Sequence, residues 1–129
     1  MKIAIIGSGN LGLSIAKGLI YNNTYTSLYL TKRELNSIEK WEEYNNVKIT
    51  TDNQEAVKNA DIIIFTVQPG QFDGILEQIK GVLTDKHILI SAITGYSIQR
   101  MEKQLKENYP IIRSMPNTAI SVGKSMTCL

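Results

Sequence analysis

Residues 2–12 read Lys-Ile-Ala-Ile-Ile-Gly-Ser-Gly-Asn-Leu-Gly, an apolar run that leads directly into three closely spaced glycines. The run Lys2–Ile6 is rich in β-branched residues and ends at a glycine, so it predicts a buried strand. Apolar residues then recur at helical spacing through Asn10–Tyr21, which predicts an amphipathic helix that faces a core. This order of strand, glycine-rich turn and helix is typical of a dinucleotide-binding turn.

The spacing Gly-x-Gly-x-x-Gly gives each glycine of the turn a separate mechanical role. Gly7 permits the tight turn, Gly9 lets the backbone approach a pyrophosphate, and Gly12 allows the helix to pack closely on the strand. The amide groups of the first helical turn then face the diphosphate, aided by the helix dipole. The alternative interpretation is that the glycines only shape a strand-to-helix turn.

The end of the second strand decides which dinucleotide the turn would bind. An NAD-specific site places Asp or Glu there to hold the ribose 2′-hydroxyl. This chain has Thr31, Lys32 and Arg33 instead, and the first acid is Glu34. Two cations suit a 2′-phosphate, which arginine can bind through two parallel hydrogen bonds, so we predict a preference for NADPH over NADH. In the alternative interpretation the cations are solvated residues at the start of the next element.

Short apolar runs and amphipathic stretches alternate along the rest of the chain. Strands are predicted at Ser27–Leu30, Val47–Thr50, Asp61–Val67, His87–Ser91 and Ile111–Met115, and helices at Glu34–Tyr44, around Glu55–Lys58, at Phe72–Val82 and at Ser97–Asn108. Asn53 is expected to cap the short helix, and Pro69-Gly70 to stop the strand before it. Alternation at this spacing predicts an α/β fold of the Rossmann type: a doubly wound, mainly parallel sheet with helices on both faces, in one domain spanning residues 1–129.

Ligands of such a sheet lie beyond the carboxyl ends of its strands, near the point where the strand order reverses. That rule selects the segments Thr66–Gly70, Ser91–Gly95 and Arg113–Thr118, although Gly and Pro also end strands without binding anything. Other residues are interpreted differently. His87 is expected at the surface, Tyr96 and Trp41 in the packing, and Cys128 without a role as a nucleophile.

Composition excludes several classes of protein. The chain has 129 residues, 43% of them hydrophobic and 20% charged, which is too apolar for intrinsic disorder. Its net charge of +2 gives no basic footprint for a nucleic acid, and no apolar run approaches the roughly 20 residues that cross a bilayer. One cysteine and one histidine suggest neither an internal disulfide nor a metal site, and the N-terminus does not resemble a signal peptide. We therefore expect a soluble, cytoplasmic, metal-free domain.

Taken together, these segments resemble pyrroline-5-carboxylate reductase from Lys2 to about Thr127. The resemblance is carried by Ile5–Gly12, Asn53 with Glu55-Ala56-Val57, Ala60-Asp61, Val67-Gln68-Pro69, Ser91–Gly95 and Arg113-Ser114-Met115-Pro116-Asn117-Thr118. The last segment is the most diagnostic, because related β-hydroxyacid dehydrogenases share the glycine turn but lack Arg-x-Met-Pro-Asn. Gln68 departs from the family, which usually has lysine there; Ala119 and Ser125 stand where the family has Pro and Gly.

The resemblance implies reduction of 1-pyrroline-5-carboxylate to L-proline, the last step of proline biosynthesis, with NADP(H) preferred and NAD(H) possible. It implies that the cofactor is held by Ile6, Gly7, Ser8, Gly9, Asn10, Leu11, Gly12, Thr31, Lys32, Arg33, Asn53, Thr66, Val67, Gln68, Pro69, Ala92, Ile93 and Thr94. Pro116 and Asn117 would lie near the nicotinamide and the substrate. The family's helical second domain, which forms a homodimer or larger assembly, has no counterpart here, so the isolated chain is expected to bind cofactor with little turnover.

Two other functions stay open from the residues alone. One is another NADP-linked reductase with the same first domain, of the F420-dependent NADP oxidoreductase or β-hydroxyacid dehydrogenase type. The other is a non-catalytic module that senses NADP and signals by association. Hydride transfer to a cyclic imine would separate the proposed enzyme from both.

Overall fold

Six strands form one sheet in the computed structural model, which describes residues 1–114. The strands are β1 (Lys2–Ile6), β2 (Ser27–Thr31), β3 (Val47–Thr50), β4 (Ile62–Phe65), β5 (Ile88–Ser91) and β6 (Ile111–Arg113). The helices are α1 (Asn10–Asn22), α2 (Asn53–Lys58), α3 (Pro69–Ile79) and α4 (Ile98–Leu105), with two 3₁₀ helices at Leu35–Ser37 and Glu39–Glu43. Among these residues no helix is long and apolar enough to cross a membrane.

The strand order is β3-β2-β1-β4-β5-β6, and every neighbouring pair is parallel. β1 lies in the middle, where Ile5 pairs with Leu30 of β2 on one side and with Ile64 of β4 on the other. The chain winds outward from β1 in both directions, so the order reverses between β1 and β4. This confirms the predicted doubly wound fold and puts a crevice at the carboxyl ends of these two strands.

Alternating residues of β1 build two separate cores. Ile3 and Ile5 join the core that packs under α1 and the two 3₁₀ helices, whereas Ala4 and Ile6 join the core under α2, α3 and α4. Successive side chains of a strand point to opposite faces, so a strand covered on both sides must be apolar throughout. The apolar run that opens the sequence therefore reflects the central position of β1.

The segment predicted as a helix over Glu34–Tyr44 is instead two short 3₁₀ helices. The residues expected on its inner side do face the core: Ile38 and Trp41 are buried and Leu35 is half-buried. These three residues are spaced by three, which suits a 3₁₀ helix because its side chains repeat every three residues. The predicted buried face is confirmed, but the predicted helix type is wrong.

Several boundaries also differ from prediction. Asn53 does not cap α2; the carboxylate of Asp52 accepts hydrogen bonds from the amides of Gln54 and Glu55, at 2.9 and 3.3 Å. α3 begins at Pro69 because proline is favoured in the first helical position, so Pro69-Gly70 starts a helix rather than merely ending a strand. β4 is shorter at both ends than predicted, and α3 ends at Ile79, three residues early.

The prediction for the last helix was too long in the same way. α4 begins after Ser97, whose hydroxyl accepts a hydrogen bond from the amide of Arg100 at 3.0 Å. It ends at Leu105 because Lys106 adopts a left-handed conformation, with φ of 61°. β6 ends at Arg113, and Met115 lies outside the described residues.

His87 was predicted at the surface, and this is wrong, because its side chain is buried just before β5 begins. The amide of Thr84 donates to Nδ1 at 2.9 Å, and Nε2 lies 3.0 Å from the carbonyl oxygen of Val57. Since Nδ1 accepts, Nε2 carries the hydrogen and donates to that carbonyl. The imidazole is therefore a structural link between the α3–β5 loop and α2.

Replacing His87 with alanine is expected to lower the free energy of unfolding by about 2 kcal/mol, because the amide of Thr84 loses its acceptor, the carbonyl of Val57 keeps only the bond from the amide of Ala60, and a cavity forms. Denaturant unfolding followed by circular dichroism measures the change. His87→Gln is the matched control, since its amide can still donate towards Val57, and it should recover part of the loss. An alanine variant as stable as the wild type would show that the link contributes nothing.

Candidate functional site

A cleft with a volume of about 880 Å³ opens at the carboxyl ends of β1, β2, β3 and β4. This is the edge at which the strand order reverses, as the rule for doubly wound sheets requires. The cleft is lined by Ile6, Gly7, Ser8, Gly9, Thr31, Lys32, Arg33, Glu34, Ser37, Thr51, Asn53, Thr66, Val67, Gln68, Gly70, Gln71, Gly74, Ile75 and Gln78. Its size falls within the range typical of small-molecule and cofactor sites.

The turn after β1 is held open by its neighbours on both sides. Gly7 has φ of 95°, and a Cβ there would lie 2.5 Å from Cγ1 of Val67. Its amide donates to the hydroxyl oxygen of Thr31 at 3.2 Å, and its carbonyl accepts from the hydroxyl of Thr66. The amide of Ser8 donates to the carbonyl of Thr31 at 2.8 Å. The ends of β2 and β4 thus fix a turn that only glycine can begin.

The N-terminus of α1 points into the cleft without a cap. Gly9 is the N-cap residue and makes no side-chain capping bond, so the first amides of the helix are available to a ligand. A Cβ on Gly9 would meet no atom within 4 Å, so the space above the turn is open. The arrangement offers backbone donors and the positive end of a helix dipole to an anion.

Ser8 provides a test of whether the residues fit a phosphate group. Its side chain is fully buried, and its hydroxyl has no hydrogen-bond partner within residues 1–114. A buried hydroxyl without a partner costs free energy unless something else satisfies it. A phosphate oxygen at the adjacent helix N-terminus would accept from it, so the donor set of the turn fits a pyrophosphate.

The two predicted cations stand at the wall of the cleft beyond β2. Nζ of Lys32 donates to the hydroxyl of Ser37 at 2.8 Å, which holds the lysine along the rim. Arg33 is exposed and makes no ion pair within the residues that the structure describes. Glu34 lines the same wall. The position suits a phosphate on the adenosine ribose, and the assignment of these cations to it stays a prediction.

One wall of the cleft was missed by sequence reasoning, and it belongs to α3. Gln71, Gly74 and Gln78 follow one another at helical spacing along the face that lines the cleft. Nδ2 of Asn53 donates to Oε1 of Gln78 at 2.9 Å and so joins α2 to this face. The sequence does contain these polar residues and the glycine on one side of an amphipathic helix. Nothing local in the sequence shows where that helix lies in the fold.

The structure brings many of the predicted residues together and leaves others apart. Asn10, Leu11, Gly12 and Pro69 lie in the first turns of α1 and α3 beside the cleft but do not line it. Ala92, Ile93 and Thr94 follow β5 and do not line it either. Ile93 is part of the core, and the amide of Ala92 donates to the carbonyl of Phe65 at 3.0 Å. Pro116, Asn117 and Cys128 lie outside the described residues.

A polar cluster behind α3 fixes the helix that forms the missed wall. Tyr96 is buried, as predicted, with its ring 4.6 Å from that of Phe72 and its hydroxyl donating to the carboxylate of Asp73. The guanidinium of Arg100 lies 4.3 Å from the centre of the Tyr96 ring and 3.0 Å from the other oxygen of Asp73. The hydrogen bond from Tyr96 lowers the pKa of the Asp73 carboxyl. Burial, and then the bond to Asp73, raise the pKa of the Tyr96 hydroxyl to about 12.

The raised pKa of Tyr96 makes the folded chain sensitive to alkaline pH. Folding favours the protonated phenol, so this stabilisation is complete below the ordinary pKa of 10 and is lost as the pH rises towards about 12. We expect the melting temperature to fall across that window in the wild type, and to fall less in Tyr96→Phe. Tyr44→Phe is the control, because Tyr44 is exposed. Parallel pH profiles for the wild type and Tyr96→Phe would contradict the assignment.

Among residues 1–114 no group of three His, Cys, Asp or Glu side chains is placed to hold a metal ion. The polar groups that line the cleft are backbone amides, hydroxyls, carboxamides, the cations of Lys32 and Arg33 and the carboxylate of Glu34.

Comparison with known proteins gives consistent matches. Residues 2–95 match the family model described as NADP oxidoreductase coenzyme F420-dependent. Over 98% of its length the chain is 45% identical to pyrroline-5-carboxylate reductase 1 of Dictyostelium discoideum, of which it covers 23%.

Solved structures match as well. A pyrroline-5-carboxylate reductase from Coxiella burnetii superposes with a TM-score of 0.88 at 34% identity, covering 98% of this chain and 47% of that one. The Plasmodium falciparum pyrroline carboxylate reductase with NADP bound gives a TM-score of 0.84 at 25% identity, covering 99% of this chain and 47% of that one. The chain spans less than half the length of the curated relatives it matches.

Proposed function

The chain belongs to the family described as NADP oxidoreductase coenzyme F420-dependent, and on that premise we propose that it is the NADP(H)-binding domain of a pyrroline-5-carboxylate reductase. The observation that carries the proposal is the uncapped N-terminus of α1 above Gly9, facing an open cleft where the strand order reverses. Identity to the Dictyostelium reductase extends over 98% of the chain, whereas the family match stops at residue 95. Because the identity to the reductase continues beyond the end of the family match, it favours the reductase over an F420-dependent oxidoreductase or a β-hydroxyacid dehydrogenase.

The reaction is the reduction of the cyclic imine 1-pyrroline-5-carboxylate to L-proline. When bound, NADPH would supply the hydride that reduces the C=N bond, whose carbon is made electrophilic by protonation of the ring nitrogen. The residues of the chain bind the cofactor and orient it. The amides of the first turn of α1, with the hydroxyl of Ser8, would hold the pyrophosphate, and Lys32 and Arg33 would hold the 2′-phosphate. With these anchors fixed, the rest of the dinucleotide is aligned before reaction. Pro116 and Asn117 stay predicted on the nicotinamide side.

The partners follow from the same proposal. The substrate is a small cyclic imino acid, and the protein that contains this domain acts in the cytoplasm as a homodimer or larger homo-oligomer. Gln68 lies at the rim of the cleft, at the N-cap of α3. It contributes a hydrogen-bonding amide where the reductase family usually has a charged lysine.

Titration of the 129-residue chain with NADPH and with NADH, followed by nicotinamide fluorescence, tests the cofactor proposal. We expect NADPH to bind about tenfold more tightly or better, because one charge-assisted hydrogen bond to the 2′-phosphate is worth that much. Gly9→Val is the matched variant: its side chain enters the open space above the turn and should abolish binding of both nucleotides. Absence of binding by the wild type would overturn the proposal.

The substrate is tested in the natural protein that carries this domain. Oxidation of NADPH should depend on 1-pyrroline-5-carboxylate and yield proline, whereas hydroxy acids, oxo acids and coenzyme F420 should not support turnover. NADPH binding without any hydride transfer would indicate a sensing module instead. The isolated chain is expected to bind NADPH with little proline formation, and rapid turnover by it alone would contradict that expectation.

A further inference from the structure

The loop between β5 and α4 (residues 92–97, the β5–α4 loop) lies at the same carboxyl edge of the sheet as the cleft, one strand beyond β4. Its first amide, that of Ala92, donates to the carbonyl of Phe65 at the end of β4 at 3.0 Å. Thr94 and Gly95 in its middle are exposed, and Gly95 has φ of 79°. The amides of these two residues donate no hydrogen bond within the part of the chain that the structure describes. Backbone contacts therefore leave the middle of this loop without a fixed position.

The side chain of Tyr96 anchors the loop instead. Its ring is fully buried against Phe72, and the guanidinium of Arg100 lies 4.3 Å from the ring centre. Its hydroxyl donates to the carboxylate of Asp73, which ties the loop to α3. The pKa of the phenol is raised to about 12 and that of the carboxyl is lowered, so at neutral pH the one donates and the other accepts. A hydrogen bond to an ionised acceptor is roughly twice as strong as one between neutral groups.

The ion pair between Asp73 and Arg100 does not replace this anchor. Both side chains are about half exposed, and exposed ion pairs contribute little to stability. Asp73 belongs to α3 and Arg100 to α4, so their pair joins the two helices without touching the loop. Tyr96 is the member of the cluster that belongs to the loop, and its hydroxyl therefore transmits the position of α3 to the loop.

The strand order determines which half of a dinucleotide would meet the loop. Lys32 and Arg33, which suit the 2′-phosphate, follow β2, and the turn that suits the pyrophosphate follows β1. β5 lies on the opposite side of β1 from β2, three strand spacings or about 14 Å away. A dinucleotide that runs from the end of β2 over β1 continues towards β4 and β5. Its nicotinamide half would therefore reach the loop, and its adenosine half would not.

We propose that Tyr96 is a positioning residue: by bonding to Asp73, it holds the β5–α4 loop in place for the nicotinamide half of the cofactor. Neither side chain lines the cleft, so both act through the loop. A loop held in one position raises the fraction of molecules that are ready to bind this half, and the apparent affinity rises with that fraction. The inference rests on the proposed function, because it assumes that the ligand is a dinucleotide.

The test compares the wild type with Tyr96→Phe in the 129-residue chain. The probes are NADPH and adenosine 2′,5′-bisphosphate, which carries the adenine and the 2′-phosphate but no nicotinamide. The variant keeps the ring and loses only the hydroxyl, so NADPH should bind about tenfold more weakly, the value of one charge-assisted hydrogen bond. Adenosine 2′,5′-bisphosphate does not need the loop, so its affinity should stay within about twofold. The rise in nicotinamide fluorescence at saturation should be smaller, because the ring is held less rigidly.

A second variant tests the other end of the bond. Asp73→Asn removes the carboxylate at a half-exposed position and should reproduce both results. Because the two groups act as a unit, the double variant should bind NADPH no more weakly than the weaker single variant. Glu77→Gln is the matched control: it makes the same change on α3, at a carboxylate that contacts Lys80 at 2.8 Å and Gln104 of α4 at 3.4 Å but not the loop. Its affinities for both probes should equal those of the wild type.

The outcomes separate this inference from its alternatives. An equal loss for both probes in Tyr96→Phe would show that the hydroxyl supports the domain as a whole, and an unchanged affinity for NADPH would show that the loop needs no anchor. Either result would overturn the inference, as would additive losses in the double variant. A wild-type chain that binds neither probe would reject the proposed function itself, and the role of Tyr96 with it.

Discussion

Alanine in place of Gly12 is expected to lower the free energy of unfolding by about 3 kcal/mol, the upper part of the range for an overfilled core. The added Cβ would overlap the carbonyl oxygen of Gly7 and lie 2.8 Å from Oγ1 of Thr66 and 3.3 Å from Cγ2 of Ile5. The carbonyl oxygen of Gly7 belongs to the backbone, so it cannot move without displacing the turn after β1. The better helix propensity of alanine offsets only about 1 kcal/mol. Chemical denaturation measures the loss, and NADPH titration should show that binding is lost as well.

The matched control is Gly74→Ala, because it makes the same substitution inside a helix at a position with open space around the Cβ. That variant should be at least as stable as the wild type. If the two alanine variants proved equally stable, α1 would have to sit farther from β1 than the structure places it. The comparison separates a glycine required for close packing from one that is not.

Local signals explain why the centre of the fold could be predicted from the sequence. Residues 2–22 contain the apolar run of β1, the three glycines and the amphipathic face of α1. Each of these features can be recognised from neighbouring residues alone. The parallel sheet follows from alternation of strands and helices. For the same reason Gly7, Ser8, Gly9, Lys32 and Arg33 could be placed at the cleft before its shape was known.

Contacts between distant segments explain what the sequence did not show. The cleft-lining face of α3 depends on how that helix packs against α2, through contacts such as that of Asn53 with Gln78. His87 has a polar side chain that local pattern places at the surface, yet Thr84 and Val57 satisfy both of its nitrogens in the interior. The cap of α2 was missed by one residue because Asp52 and Asn53 are both good capping residues. Only the fold distinguishes between them.

Exchanging both Lys32 and Arg33 for glutamate is expected to reverse the cofactor preference. Both residues line the cleft beyond β2, and in the proposed complex they supply charge-assisted hydrogen bonds to the 2′-phosphate. Loss of two such bonds, together with repulsion of a dianion by carboxylates, should weaken NADPH binding by about a hundredfold or more. NADH lacks that phosphate, and a carboxylate can accept from its 2′-hydroxyl, so its affinity should hold or rise.

The measurement is the ratio of the NADPH and NADH dissociation constants, taken at two salt concentrations because screening weakens exposed charge pairs. The pair Lys86→Glu and Lys103→Glu is the matched control: it makes the same change in net charge at exposed positions outside the cleft. A general electrostatic attraction of the chain for NADPH would shift the ratio equally in both double variants. A local phosphate site shifts it only when Lys32 and Arg33 are changed. An unchanged ratio in the variant with glutamate at both positions would show that Lys32 and Arg33 do not bind the 2′-phosphate. The preference for NADPH would then have no explanation in this structure.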